Sequence, residues 1–227
     1  MSTVLLVRHG LTAQTGTVLS GWTAGLHLDE RGHRQAAELC ERLQGVAISA
    51  VVSSPLERCI ETATALVDGR DVGVQVDDRL GEVRYGDWTG GPLKTLARNP
   101  LWKVVQAHPS GVTFPGGEAL RDMQARAVAA VREWDARMGT DGVWVACSHA
   151  DPIKAIVADA LGLHLDQFQR IAIDPCSLTV IRYTPLRPIL VRLNDTGGRG
   201  AELVPGRRRA RRRTPAPGGG AGDRGVT

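Results

Sequence analysis

Two histidines and two arginines follow closely on short apolar runs. Val4-Leu5-Leu6-Val7 leads into Arg8-His9-Gly10, and Val143-Trp144-Val145-Ala146-Cys147 leads into Ser148-His149. Ala50-Val51-Val52-Ser53 leads into Ser54-Pro55-Leu56-Glu57-Arg58. Runs of this kind read as strands buried on both faces of a parallel sheet. Open α/β sheets bind ligands beyond the carboxyl ends of such strands. If the three strands are neighbours, Arg8, His9, Arg58 and His149 converge on one crevice. A guanidinium grips phosphate through paired N–H bonds. A neutral imidazole can attack phosphorus, and a second, protonated imidazole would steady the oxygens as charge spreads over them. The leaving alkoxide still needs a proton. Glu82, in a loop bracketed by Gly81, Gly86 and Gly90, is the candidate donor. The bland alternative is a set of solvated strand ends, with Arg58 pairing with Glu57 or Glu61 on a helix surface. Arg58 argues against it mildly, because a first-turn arginine is disfavoured by the helix dipole unless an anion compensates.

The elements that must carry these side chains are legible as a pattern. Asp29 is a helix cap, and Ala36, Leu39, Cys40 and Leu43 follow at helical spacing. Ser54, Pro55 and Glu57 form a capping box that opens the next helix. Val72 to Val76 alternates as a strand. Residues 91–110 read as short covering helices, and Phe114 to Glu118 as a tight turn. Leu120, Met123, Ala127, Ala130, Val131 and Trp134 make one long apolar stripe. Pro152 starts a further helix. Leu178 to Tyr183 and Ile189 to Leu193 form a terminal antiparallel pair. Strand and helix in alternation predict an α/β layered fold.

Composition narrows the classes. No run reaches the ~20 apolar residues that a membrane span needs, and the N-terminus has no basic-then-apolar leader. Cys40, Cys59, Cys147 and Cys176 are widely spaced and read as reduced thiols of a cytoplasmic protein. No Walker loop, no dinucleotide fingerprint and no metal-ligand spacing is present, so neither metal nor cofactor is expected. His27, His33, His108 and His164 read as structural or solvated. The net charge of +4 belongs to the end of the chain: from Arg199 onward eight arginines face two acids, which leaves residues 1–198 at about −2. The Arg207–Arg213 cluster with its glycines and prolines predicts a disordered tail over 197–227, after a folded domain of residues 1–196. Such a run could bind nucleic acid, but a solvated tail is the simpler reading.

Taken together, these residues carry a resemblance. Arg8-His9-Gly10 resembles the signature of the histidine phosphatase superfamily, the phosphoglycerate-mutase-like fold. Ser53 to Arg58 is similar to its second-arginine motif. Glu82-x-x-x-Gly86-x-Trp88-x-Gly90 is similar to its acid-bearing loop, and Pro115-Gly116-Gly117-Glu118 and Ser148-His149 follow in the same order. Within that superfamily the chain is similar to a group of actinobacterial proteins described as phosphomutases. The resemblance implies a three-layer α/β/α fold with a mostly parallel central sheet and no metal. It makes His9 the nucleophile that becomes a phosphohistidine, and Glu82 the general acid and then base. Arg8, Arg58 and His149 would clamp the phosphoryl group, with Thr15 and Gly21 as further substrate contacts. Three positions depart from the family pattern: Leu11 stands for a glutamate, Thr15 for an asparagine and Ala150 for a glycine. The expected activity is that of a phosphomonoester phosphatase acting on a small phosphorylated metabolite. A phosphomutase is the alternative, and a non-catalytic nucleic-acid binder using the basic tail is a third reading. Oligomeric state is left open.

Overall fold

A computed structural model of the chain describes residues 1–197. The arginine cluster and, from residue 198 on, the tail expected to be disordered lie outside the described residues. In chain order the elements begin with strand β1 (Ser2–Arg8), a short strand β2 (Val18–Leu19) and helix α1 (Glu30–Arg42). Strand β3 (Ala50–Ser53), helix α2 (Glu57–Val67), strand β4 (Val74–Val76) and a short strand β5 (Gly91–Pro92) follow. Two short helices, α3 (Leu93–Leu96) and α4 (Pro100–Ala107), precede the long α5 (Leu120–Arg137). The chain continues through β6 (Val143–Ser148), α6 (Ala150–Ala160), β7 (Leu178–Tyr183) and β8 (Pro188–Asp195).

The main sheet has the order β4-β3-β6-β1-β7-β8. β6 pairs in parallel with both β1 and β3, and β4 is parallel to β3; β7 runs antiparallel to β1 and to β8. Alternate residues of each strand serve opposite faces. Val4, Leu6, Val52, Trp144 and Ala146 point into one apolar layer with α5 and α6. Leu5, Val7, Val51, Val145 and Cys147 point into the other with α1 and α2. The central runs over residues 4–7, 50–52 and 143–147 are therefore apolar at every position, because both faces are covered.

Register decides what happens at the strand ends. Arg8 lies opposite Ser148, and Ser53 lies opposite Cys147. The three strands stop level with one another, so the residues that follow them emerge side by side. Asp29 caps α1 as its sequence predicts, accepting from Gly32 N at 2.8 Å. Two local expectations are corrected. α2 begins at Glu57 with no side-chain cap, so Ser54, Pro55 and Glu57 do not form a capping box. α6 begins at Ala150, two residues before Pro152, with His149 as its N-cap residue.

Candidate active site

His9 follows β1 and is only 6% exposed. Its Nδ1 lies 2.7 Å from Gly10 O. A carbonyl can only accept, so the proton is on Nδ1 and Nε2 is unprotonated, its lone pair facing Arg58 Nε at 3.3 Å. Thr62 fixes this corner: its hydroxyl accepts from Gly10 N at 3.1 Å and donates to Arg58 O at 2.7 Å. Burial, then the Arg58 and Arg8 charges, hold the imidazole well below its ordinary pKa of 6.5. His9 is therefore neutral at neutral pH.

Arg58 stands in the first turn of α2 and is buried. Its Nε donates toward His9 Nε2 at 3.3 Å, and its Nη2 donates to Gly21 O at 2.8 Å and to His149 Nδ1 at 3.2 Å. Its Nη1 is buried without a hydrogen-bond partner among the described residues. Such a donor is costly to leave unmade and is satisfied by an incoming acceptor. Gly21 can offer its carbonyl because its φ of 51° is a backbone conformation that favours glycine. Arg8 is buried at the end of β1, where its Nη1 donates to Ile173 O at 2.7 Å.

His149 is fully buried, with its ring centroid 5.2 Å from that of His9. Arg58 donates to its Nδ1, so Nε2 carries the proton and donates to Ser54 Oγ at 2.8 Å. Burial, the Arg58 charge and the neighbouring His9 push its pKa well below 6.5. The expectation of a protonated second imidazole is thus corrected for the free protein: two guanidinium groups and a dry surrounding keep it neutral. Ser54, read from sequence as a helix cap, is the partner of His149.

Glu82 follows a short turn at Asp78–Leu80 and is 4% exposed. Its Oε1 accepts from Val83 N at 2.9 Å. Burial and then Asp151 raise its pKa from 4.5 to about 7, against the pull of Val83 N, Arg58 and Arg8. Arg126 of α5 pins the loop, donating to Arg79 O, Gly81 O and Glu82 O at 2.7–2.8 Å while Glu118 accepts from it. Gly86 has a φ of 55°, and a Cβ there would meet Pro115 O at 2.1 Å. The turn at Phe114–Glu118 thus packs directly on the acid loop.

One open cleft of about 370 Å³ joins Arg8, His9, Arg58 and Glu82 with the loop residues Thr15 and Gly21. The Thr15 hydroxyl accepts from Thr12 N and meets Thr12 Oγ1, both at 3.0 Å. His149 does not line the cleft; it stands behind Arg58. Elsewhere, His27 bonds to Glu61, and His108 and His164 meet Asp166. Ser54, Thr62 and Arg126 are the contributors that sequence reasoning missed.

The family model for the histidine phosphatase superfamily (branch 1) matches residues 4–196. The chain belongs to the histidine phosphatase superfamily. It is similar to Phosphoserine phosphatase 1 of Hydrogenobacter thermophilus, 30% identical over 201 residues that cover 86% of this chain and 93% of that protein. It is also similar to the 2,3-bisphosphoglycerate-dependent phosphoglycerate mutase of Thermoplasma acidophilum, 27% identical over 184 residues, 80% of this chain and 87% of the relative. Among solved structures, mycobacterial glucosyl-3-phosphoglycerate phosphatase Rv2419c superposes with a TM-score of 0.76 at 26% identity, over 85% of this chain and 98% of that one. The expected fold, a mostly parallel sheet between helix layers, is the one found. Phosphatases and mutases both occur among the relatives of this member of the superfamily.

Proposed function

We propose that the protein is a phosphomonoester phosphatase that works through a phosphohistidine on His9. The observation that carries this reading is one cleft holding both a neutral imidazole with an unprotonated Nε2 and a carboxyl poised near pH 7. A substrate phosphoryl group sits against Arg8 and Arg58, where Arg58 Nη1 gains an acceptor. Nε2 attacks phosphorus, and the P–O ester bond breaks as the N–P bond forms. Glu82 gives its proton to the departing oxygen. The resulting carboxylate takes a proton from water as that water attacks phosphorus. The N–P bond breaks, inorganic phosphate leaves, and Glu82 is protonated again. His149 acts behind Arg58, and an arriving dianion favours its protonation by offsetting the nearby guanidinium charges.

Hydrolysis is favoured over mutase chemistry by the lining of the cleft. Among the described residues that line it, Arg8 and Arg58 are the only cations, and the segment 91–117 contributes only Leu93. A bisphosphate would meet no counter-charge for its second group there. We infer a substrate that is a small phosphorylated metabolite with a single phosphomonoester. The test incubates purified protein with phosphomonoesters, including phosphorylated glycerates, and counts free phosphate against isomerised product. Phosphate release is expected; isomerisation without release would make the protein a mutase. Glu82→Gln is expected to slow alkyl phosphates by roughly 10²-fold or more while sparing an aryl phosphate, whose phenolate leaves with little protonation.

A further inference from the structure

A buried polar network beside the site has no part in the steps above. Tyr85 stands three residues after Glu82 and is fully buried. Its hydroxyl donates to Asp151 Oδ2 at 2.8 Å. Asp151 lies two residues after His149, in the first turn of α6. Lys154, one turn along α6, donates to Asp151 Oδ1 at 3.2 Å and to Gln169 Oε1 at 3.2 Å. Asp151 and Lys154 are each only 1% exposed. Burying such a pair exacts a desolvation cost that its mutual attraction recovers only with good geometry, and an apolar pair of like volume often serves stability as well. Its place in the fold suggests what it does instead. It joins the acid loop, through Tyr85, to the helix that begins at His149.

We propose that Asp151 is a positioning residue for the proton donor: clasped by Tyr85 and Lys154, it fixes the Glu82 loop against the phosphate site. This rests on the reading of Glu82 as general acid. The groups that act on Glu82 come from three elements: Arg8 at the end of β1, Arg58 on α2 and Asp151 on α6. The two arginines favour the ionised carboxylate. Of the three, only Asp151 opposes them, and it adds to the effect of burial. Without Asp151, burial alone would oppose the two cations, and Glu82 would ionise at lower pH. Lys154 is paired with Asp151 on the side shared with Gln169, so it holds the carboxylate in place while Tyr85 transmits that position to the loop.

The test compares pH profiles of kcat/KM on an alkyl phosphate and on p-nitrophenyl phosphate. The variants are Tyr85→Phe, Asp151→Asn and the double variant Asp151→Asn/Lys154→Met, which leaves no unpaired buried ammonium. In the double variant, with an intact thermal unfolding transition, the basic limb for the alkyl substrate is expected to move to lower pH by roughly one unit. That corresponds to about a tenfold lower alkyl-to-aryl ratio above the limb. Tyr85→Phe keeps the charge but frees the loop, so it should lower alkyl turnover without moving the limb. A folded double variant with the parent limb and the parent alkyl-to-aryl ratio would reduce the network to packing and overturn the inference. Glu82→Gln separates the two levels. If it too shows no leaving-group dependence, the general-acid reading is what fails; if it shows one that the Asp151 variants lack, only the positioning role fails.

Discussion

The cleft has two walls built on different principles. The wall that carries Arg8, His9 and Arg58, with His149 behind it, is set by the main chain. Level strand ends place these residues, and backbone bonds such as His9 N to Ser148 O and Ser54 N to Cys147 O lock them together. The wall that carries Glu82 is a loop with no place in the main sheet. It is held by side chains reaching in from α5 and α6, with Arg126 on its carbonyls and Asp151 on Tyr85. A wall fixed by register cannot be tuned without disturbing the sheet. A wall fixed by side-chain pins can be adjusted one residue at a time, which suits the group whose proton affinity has to match the leaving group.

The contrast is broken most severely at the nucleophile. His9→Ala is expected to abolish the phosphoenzyme, with a fall in turnover of roughly 10⁴-fold or more on alkyl and aryl substrates alike. Trapping with ³²P-labelled substrate under an alkaline quench checks this, since the N–P bond is acid-labile but survives alkali; label should stay on the parent and be absent from the variant. Next comes Arg58→Ala. It removes a preorganised donor from the phosphoryl group and should cost about 3 kcal/mol of transition-state stabilisation, roughly 10²-fold in kcat/KM. The loss should again be equal for both leaving groups, because the register-built wall serves the phosphoryl group itself.

The pinned wall should behave differently. Arg126→Met keeps much of the side-chain volume but removes the donors from three loop carbonyls and the partner from Glu118. We expect about a tenfold loss on alkyl phosphates, little change on p-nitrophenyl phosphate, and a lower melting temperature from the unmade bonds. Equal losses on both substrates would mean that the loop also shapes phosphate binding, and the distinction between the walls would collapse.

The two walls also differ in how far the sequence revealed them. Continuous apolar runs made β1, β3 and β6 readable, and with them the convergence of Arg8, His9 and His149. Arg58 was legible because its position against the helix dipole asks for an anion. Ser54 was misread because Ser-Pro-x-Glu fits a local capping pattern, whereas its hydroxyl is engaged by His149, 95 residues away. Arg126 left little trace: a polar residue flanking the apolar stripe of α5 looks like surface until the loop is seen above it. The charge of His149 was illegible for a similar reason. It is set by burial and then by Arg58, His9 and Arg8, and both exist only once the chain has folded.

The last expected effect concerns stability and leaves turnover aside, and it isolates the loop wall from the other. Glu82 has a pKa of about 7 in the folded protein, against an ordinary value of 4.5. Below about pH 4.5 the carboxyl is protonated in both states and costs nothing by this route. Between 4.5 and 7 the unfolded chain ionises while the folded one stays protonated, so stability falls as pH rises. Above pH 7 the full penalty applies, on the order of 3 kcal/mol. Glu82→Gln keeps an oxygen to accept from Val83 N but cannot ionise. The variant should therefore melt several degrees higher than the parent at pH 8, and the gap should close as the pH approaches 4. His9 and His149 impose the opposite dependence, losing stability as pH falls through the ordinary histidine range, but both proteins share it and it cancels in the difference. A gap that stays constant with pH would show that Glu82 is not held protonated by its surroundings, and the loop wall would then be a rigid scaffold with no tuned acid on it.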